Sequence, residues 1–206
     1  MALFFSFDGI DGVGKSTQLQ LFCRWLEEQG EPTVVCRDPG TTPLGERVRE
    51  LLLNSDHSIA IGPRSEMFLY MAARAQLVDE VIRPALADGR IVVSDRFLLA
   101  NIVYQGYAGG LDVPALRAVG EVAVTGVKPD CTFLLDMDPV AALERVGRHL
   151  DRVERRGAAY REQLRAGFLK EAAHMGDAVH VIRADRSIDA VQAEIRELAG
   201  RLLRER

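Results

Sequence analysis

The chain has 206 residues, 48% apolar and 27% charged, with 26 Lys and Arg against 30 Asp and Glu, for a formal charge of −4. A chain of that length buries about 70% of its unfolded surface, so its core needs no staples, and Cys23, Cys36 and Cys131 fit no metal spacing and read as small buried hydrophobes in a reducing, cytoplasmic setting. The faint acidity argues against nucleic acid or an anionic membrane as partner, and no leader-like start or uninterrupted run of about 18 apolar residues is seen.

The first apolar run, Leu3 to Phe7, is followed by Gly9-Ile10-Asp11-Gly12-Val13-Gly14-Lys15-Ser16-Thr17, which fits Gly-x4-Gly-Lys-Ser/Thr. Gln18, Leu19, Leu21, Phe22, Trp25 and Leu26 then recur at three-to-four-residue spacing, predicting an amphipathic helix. A second run, Thr33 to Cys36, leads into a turn-rich loop from Pro39 to Pro43. After Tyr70-Met71-Ala72-Ala73-Arg74-Ala75-Gln76 come the runs Ile91 to Ser94, Thr132 to Leu135 and Val179 to Ile182, and the periodic Val191, Ile195, Leu198 and Leu202. This alternation predicts an α/β fold, a mainly parallel sheet with helices on both faces, and the absence of linkers or repeats predicts a single domain over residues 1–206.

Strand, glycine loop and helix in succession are the context a phosphate-binding loop requires. Phosphate oxygens need several backbone N–H donors converging on one point, glycines let the chain curl around them, and the helix adds its positive N-terminus. Gly9 to Thr17 are therefore the expected nucleotide-binding residues, with Lys15 bridging the β- and γ-phosphates and Ser16 holding Mg²⁺. The loop alone specifies a bound nucleotide and leaves the second substrate open. Ligands collect at the carboxyl ends of parallel strands, where Arg37 to Glu46 and Ser94-Asp95-Arg96-Phe97 fall.

Taken in order, these strings resemble the thymidylate kinase family across nearly the whole chain. The carriers are Phe7 to Thr17, Asp38-Pro39-Gly40-Thr41-Thr42-Pro43-Leu44-Gly45, Ala72 to Gln76, Asp95-Arg96-Phe97, Tyr104-Gln105-Gly106, Lys128-Pro129-Asp130 with Leu135-Asp136, and Asp151-Arg152-Val153-Glu154. The resemblance implies a P-loop nucleoside monophosphate kinase fold with a five-stranded sheet, transfer of the γ-phosphate of ATP to dTMP to give dTDP for dTTP synthesis, Mg²⁺ as cofactor, and a homodimer. It also implies roles by position. Arg96 clamps the acceptor phosphate with help from Arg49; Arg74 hydrogen-bonds the thymine O4; Tyr70 stacks on the base; Asn101 and Gln105 face its edge. Tyr104 closes against the sugar, Asp11 lies near sugar and metal, and Asp95 binds Mg²⁺ through water.

Seven arginines fall between 145 and 165: Arg145, Arg148, Arg152, Arg155, Arg156, Arg161 and Arg165. Such a run can be a solvated helix face or an RNA-binding arm. In phosphoryl transfer it can instead be a lid, at about 145–157, whose arginines stabilise charge on the transferring group. No basic residue lies between Gly9 and Gly14, so Arg148 and Arg152 are expected to supply that charge, with Arg152 the better match to the family's lid motif. Arg145 and Arg165 are assigned to lid support or the adenine side. Asp8, Thr41, Tyr70, Phe97, Ala100 and Arg156 depart from the family pattern, and Thr41 stands where a second glycine is common. The alternatives are a deoxynucleoside kinase using Asp38 as base, another pyrimidine monophosphate kinase, and a non-catalytic nucleotide-binding protein.

Overall fold

Alternation in the first strand sends Phe5 and Phe7 to one side of the sheet and Phe4 and Ser6 to the other. These residues form β1 (Phe4–Asp8), the central strand of the computed structural model, which describes residues 2–54, 59–146 and 157–206. The others are β2 (Thr33–Arg37), β3 (Ile91–Asp95), β4 (Cys131–Asp136) and β5 (Val179–Arg183), in the order β2-β3-β1-β4-β5 with every pairing parallel. A parallel sheet has to be covered on both faces. Helices α1 (Lys15–Glu28) and α9 (Ile188–Glu205), which pack on each other, cover one. There Phe22 of α1 meets Phe5, Phe7 and Phe133 at ring-centroid distances of 5.2, 5.6 and 5.6 Å.

The opposite face carries Phe4, Cys36 and Val92. They pack against Leu77 of α3 (Pro63–Leu77), Ile82 in the π-helical stretch Val78–Ile82, Ala85 of α4 (Arg83–Ala87) and Val124 of α6 (Val113–Val124). Between the ends of strands lie α2 (Pro43–Asn54), α5 (Leu98–Asn101) and α7 (Pro139–Glu144). A second π-helical stretch, Ile102–Tyr107, continues α5 and is covered by α8 (Ala158–Met175). Such π-turns recur at functional sites, and this one carries Tyr104 and Gln105.

All five strands run one residue past the apolar runs read from the sequence, ending on Asp8, Arg37, Asp95, Asp136 and Arg183. Apolar pattern stops where side chains reach the edge, whereas backbone pairing continues: Arg37 stands opposite Asp95 and Asp136 opposite Arg183. The carboxyl edge of the sheet is thus a row of charges, five strands wide. Cys36 and Cys131 are buried as expected, but Cys23 is only half-buried beside the core. Among the described residues no helix is long and apolar enough to cross a membrane. Of the expected lid, only Arg145, Val146 and Gly157 are described.

Candidate active site

The glycine loop joins β1 to α1 and is packed too tightly for a side chain at Gly9 and Gly12. At Gly12, with φ +88°, an added Cβ would lie 1.9 Å from the carbonyl oxygen of Ala142. Gly14, the residue before α1, has φ +96°, a left-handed angle that glycine adopts without strain. Lys15 Nζ donates to the carbonyls of Gly9 and Ile10 at 3.0 and 2.8 Å and lies 3.3 Å from Asp11 Oδ1. Burial and the nearby Arg96 lower the Lys15 pKa, and Asp11 opposes them. Asp11 and Gly12 to Thr17 line a cavity of about 810 Å³, whereas Gly9 and Ile10 stand behind the wall and act through their carbonyls. Six cations on that cavity, Lys15, Arg37, Arg49, Arg96, Arg145 and Arg186, face three carboxylates, Asp11, Asp38 and Asp95. An acidic protein therefore has a locally cationic cleft, suited to a polyanion.

Arg96 sits at the turn leaving β3, with φ +68°. A non-glycine residue held at that angle stores about 1–3 kcal/mol of strain, and such strain clusters where a side chain has to be aimed. Its backbone and ring contacts hold it: the Arg96 N–H donates to the Phe7 carbonyl at 2.9 Å, Ser94 Oγ donates to the Arg96 carbonyl at 2.6 Å, and the guanidinium lies 5.1 Å from the Tyr104 ring centroid. The guanidinium donates to the Gly9 carbonyl at 3.0 Å and to Asp11 Oδ1 at 2.6 Å. Burial alone would raise the Asp11 pKa, but Arg96 and Lys15 hold it well below the usual carboxylate range.

A second cavity opens on the other side of Arg96, lined by Leu53, Tyr70, Arg74, Ala100, Asn101, Tyr104 and Gln105. Asp11, Asp38, Arg49 and Arg96 line both cavities and form the wall between them. Arg74 is 1% exposed and its donors are well occupied: Nε to Asp38 Oδ2 at 2.6 Å, one terminal nitrogen to Asn101 Oδ1 at 2.9 Å and the other to the Phe97 carbonyl at 3.4 Å. Burial pushes the Asp38 pKa up and Arg74 opposes it. Tyr104 donates to Asp11 Oδ2 at 3.3 Å, while its own carbonyl accepts from the Tyr160 hydroxyl at 3.3 Å. Arg49 donates to the Pro39 carbonyl at 3.0 Å; burial and neighbouring cations lower its pKa.

Asp8 Oδ1, Asp38 Oδ1 and Asp95 Oδ1 are buried without a hydrogen-bond partner. Burial lifts the Asp8 pKa to about 7, against the pull of Arg96 and Lys15. Ser16 and Asp95 line the larger cavity together, and the unpartnered Asp95 oxygen is the kind of acceptor a hydrated cation satisfies. Among the described residues no group of three or more His, Cys, Asp or Glu could hold a metal ion by itself. A Mg²⁺ ion fits here only as a partner of nucleotide phosphates.

The expected site residues thus converge, apart from Arg148 and Arg152, which lie outside the described residues together with Arg156. Arg145 lines the larger cavity and donates to the Ala184 carbonyl at 3.2 Å. Arg165 sits instead on α8, holding Asp136 through two bonds of 2.7 and 2.8 Å. Thr41 keeps a left-handed φ of +69° where glycine would be unstrained; its hydroxyl accepts from the Arg37 N–H at 2.9 Å and its own N–H donates to Glu46 at 2.6 Å. Sequence reasoning missed Arg186 and Ser187 on the larger cavity, although both follow the end of β5, and it gave no individual role to Arg37, the last residue of β2. It also missed Glu66, buried one helical turn before Tyr70 and two before Arg74.

Known proteins resemble this chain in sequence and in fold. A family profile described as thymidylate kinase matches residues 7–195. Curated relatives named thymidylate kinase include those of Symbiobacterium thermophilum, 42% identical and covering 98% of this chain and 95% of the relative, and Exiguobacterium sp., 45% identical and covering 94% and 92%. The crystal structure of thymidylate kinase from Ehrlichia chaffeensis superposes with a TM-score of 0.77 at 29% identity, covering 97% of this chain and 98% of that one.

Proposed function

The chain belongs to the thymidylate kinase family and phosphorylates dTMP with ATP to give dTDP, and on that premise we propose how its residues divide the work. The reading rests on the wall that Asp11, Asp38, Arg49 and Arg96 form between the two cavities. ATP occupies the larger cavity, where the amides of Gly12 to Thr17 face the phosphates and Lys15 exchanges its carbonyl contacts for β- and γ-phosphate oxygens. dTMP occupies the smaller one, its phosphate turned to the wall.

A planar guanidinium can grip two phosphate oxygens at once, so Arg96, assisted by Arg49, aims the acceptor phosphate at the γ-phosphate across the wall. The acceptor is already an anionic nucleophile, so no general base is needed; positioning and charge neutralisation carry the rate. One oxygen of dTMP forms the new P–O bond in line as the bond to the β-phosphate oxygen breaks, and ADP leaves with no phosphoenzyme. Ser16 and, through water, Asp95 would hold Mg²⁺, which neutralises charge on the β- and γ-phosphates when bound. Arg152, with Arg148, brings cations from a lid at about 145–157.

Recognition of the base falls to Arg74, whose donors suit the thymine O4 and oppose a cytosine amine, with Tyr70 stacking and Asn101 and Gln105 at the base edge. Tyr104 packs against the sugar, and Asp11 lies close to it. The deoxynucleoside-kinase alternative needs Asp38 as a base; its Oδ2 is engaged by Arg74 and its Oδ1 has no partner, and turnover of thymidine separates the two readings. The proposal extends to a single-domain, cytoplasmic homodimer. Phe68 on α3 and Val122 on α6, two helices packed on each other, are 56% and 76% exposed and support a subunit contact there.

The test is coupled ADP release with dTMP, dUMP, dCMP and thymidine. Turnover of dTMP above dCMP and none of thymidine is expected. Turnover of thymidine without dTMP would overturn the proposal, and turnover of none would return the protein to the non-catalytic class.

A further inference from the structure

Five buried polar side chains form a continuous row behind the smaller cavity. Arg74 Nε donates to Asp38 Oδ2 at 2.6 Å and its terminal nitrogen to Asn101 Oδ1 at 2.9 Å. Asn101 Nδ2 donates to Gln105 Oε1 at 2.6 Å, and Gln105 Nε2 donates to Glu66 Oε1 at 2.9 Å. Exposure along the row is 3% for Asp38, 1% for Arg74, 2% for Asn101, 3% for Gln105 and 3% for Glu66, so water cannot repair a mismatched contact. Asp38, Arg74, Asn101 and Gln105 line the cavity; Glu66 does not.

The groups in this row differ in how many ways they can bond. A guanidinium only donates, and a carboxylate only accepts. A side-chain amide has one end of each kind and can be turned over, so its direction has to be set from outside. Glu66 does this at one end. Because Glu66 accepts, Gln105 turns Nε2 toward it and Oε1 toward Asn101. Asn101 then turns Nδ2 toward Gln105 and leaves Oδ1 for Arg74. Reversing either amide would set acceptor against acceptor or donor against donor in a buried space. We propose that Glu66 is a positioning residue for base selection: it fixes the direction of the two amides at the base edge and, through them, the aim of Arg74. Four-residue steps place Glu66, Tyr70 and Arg74 on one face of α3, so a single helix carries the anchor, the stacking ring and the guanidinium.

Direction matters because the edge of thymine reads acceptor, donor, acceptor, whereas that of cytosine reads acceptor, acceptor, donor. A pocket whose amides are free to turn can match both. This inference rests on the proposed base-binding role of the smaller cavity, and its experiment separates the two. In Glu66→Gln the shape is kept, but the new amide can face Gln105 in either sense, so turning the two amides over meets one mismatch, donor against donor at Arg74, instead of two. The ratio of kcat/KM for dTMP over dCMP is expected to fall about tenfold, through a higher KM for dTMP, with the KM for ATP within about twofold. That ratio does not depend on how much enzyme is folded, so lost stability alone leaves it unmoved.

Glu66→Asp keeps an acceptor-only group and is expected to hold the ratio within about threefold of the parent. An unchanged ratio in Glu66→Gln would overturn the proposal. So would an equal loss in Glu66→Asp, since reach rather than direction would then matter. A parent protein that turns over neither monophosphate would instead refute the proposed function.

Discussion

Replacing Asp38 by asparagine tests the arrangement between the cavities at its most costly contact. The carboxylate is 3% exposed, its Arg74 partner 1%, and they meet at 2.6 Å. Removing one partner of a buried ion pair costs about 3–5 kcal/mol, because the other charge stays buried uncompensated. Arg74 keeps Asn101 Oδ1, the Phe97 carbonyl, Met71 Sδ at 3.2 Å and the Phe97 ring at 5.6 Å, which moves the expected cost to the lower end, about 3 kcal/mol. For a chain of this size that is a fall in Tm of roughly 6–12 °C. Burial raises the Asp38 pKa against the pull of Arg74, so urea and thermal unfolding are compared at about pH 8, where ionisation is favoured. The KM for dTMP should rise about tenfold or more as Arg74 loses its anchor. A stability loss below about 1 kcal/mol with an unchanged KM would refute the reasoning, since neither the charge nor the aim of Arg74 would then depend on Asp38.

Other substitutions probe separate parts of the site. Arg96→Ala should cost about 10²-fold or more in kcat/KM for dTMP while ATP binding is retained, and normal saturation by dTMP would remove it as the clamp. For Arg152→Ala a drop in kcat of about 10²-fold or more is expected with dTMP affinity largely kept; unchanged turnover would shift the role to Arg148 or refute the lid reading. Asp8, lifted by burial from 3.8 to about 7, binds a proton in the folded chain but not in the unfolded one across that window. Its contribution therefore favours folding less and less as pH rises from about 4 to 7. Asp8→Asn should flatten the fall in the urea midpoint over this range, and parallel curves for variant and parent would contradict the burial argument. Phe68→Asp should convert a dimer to monomer in sedimentation, and a parent protein that is already monomeric would contradict the subunit contact.

Much of the fold was legible because its elements are local. Each strand is a short run of β-branched and aromatic residues, and the glycine loop is contiguous, so its position between Phe7 and Lys15 announced both turn and ligand. The strand ends were less legible, because Asp8, Asp95 and Asp136 continue the backbone ladder after the apolar pattern has stopped. Partners distant in the chain left no pattern to read. Asp38 and Arg74 lie 36 residues apart, and Glu66 and Gln105 lie 39 apart. A single glutamate beside Met67 and Phe68 looks like an ordinary helix residue until the turn from Ile102 to Tyr107 is laid against it. Arg165 likewise belongs to an arginine-rich stretch by sequence, while its partner Asp136 lies 29 residues away.

The central claim is that the two cavities hold both substrates at once and that the phosphoryl group crosses the wall between them directly. A single turnover with ATP radiolabelled in its γ-phosphate, quenched during the reaction in the presence of dTMP, tests this most closely. Label should pass from ATP to dTDP at the rate ADP appears, with none bound to protein and none released as inorganic phosphate. Label held on the protein, or released as phosphate while dTMP stays unmodified, would contradict the account.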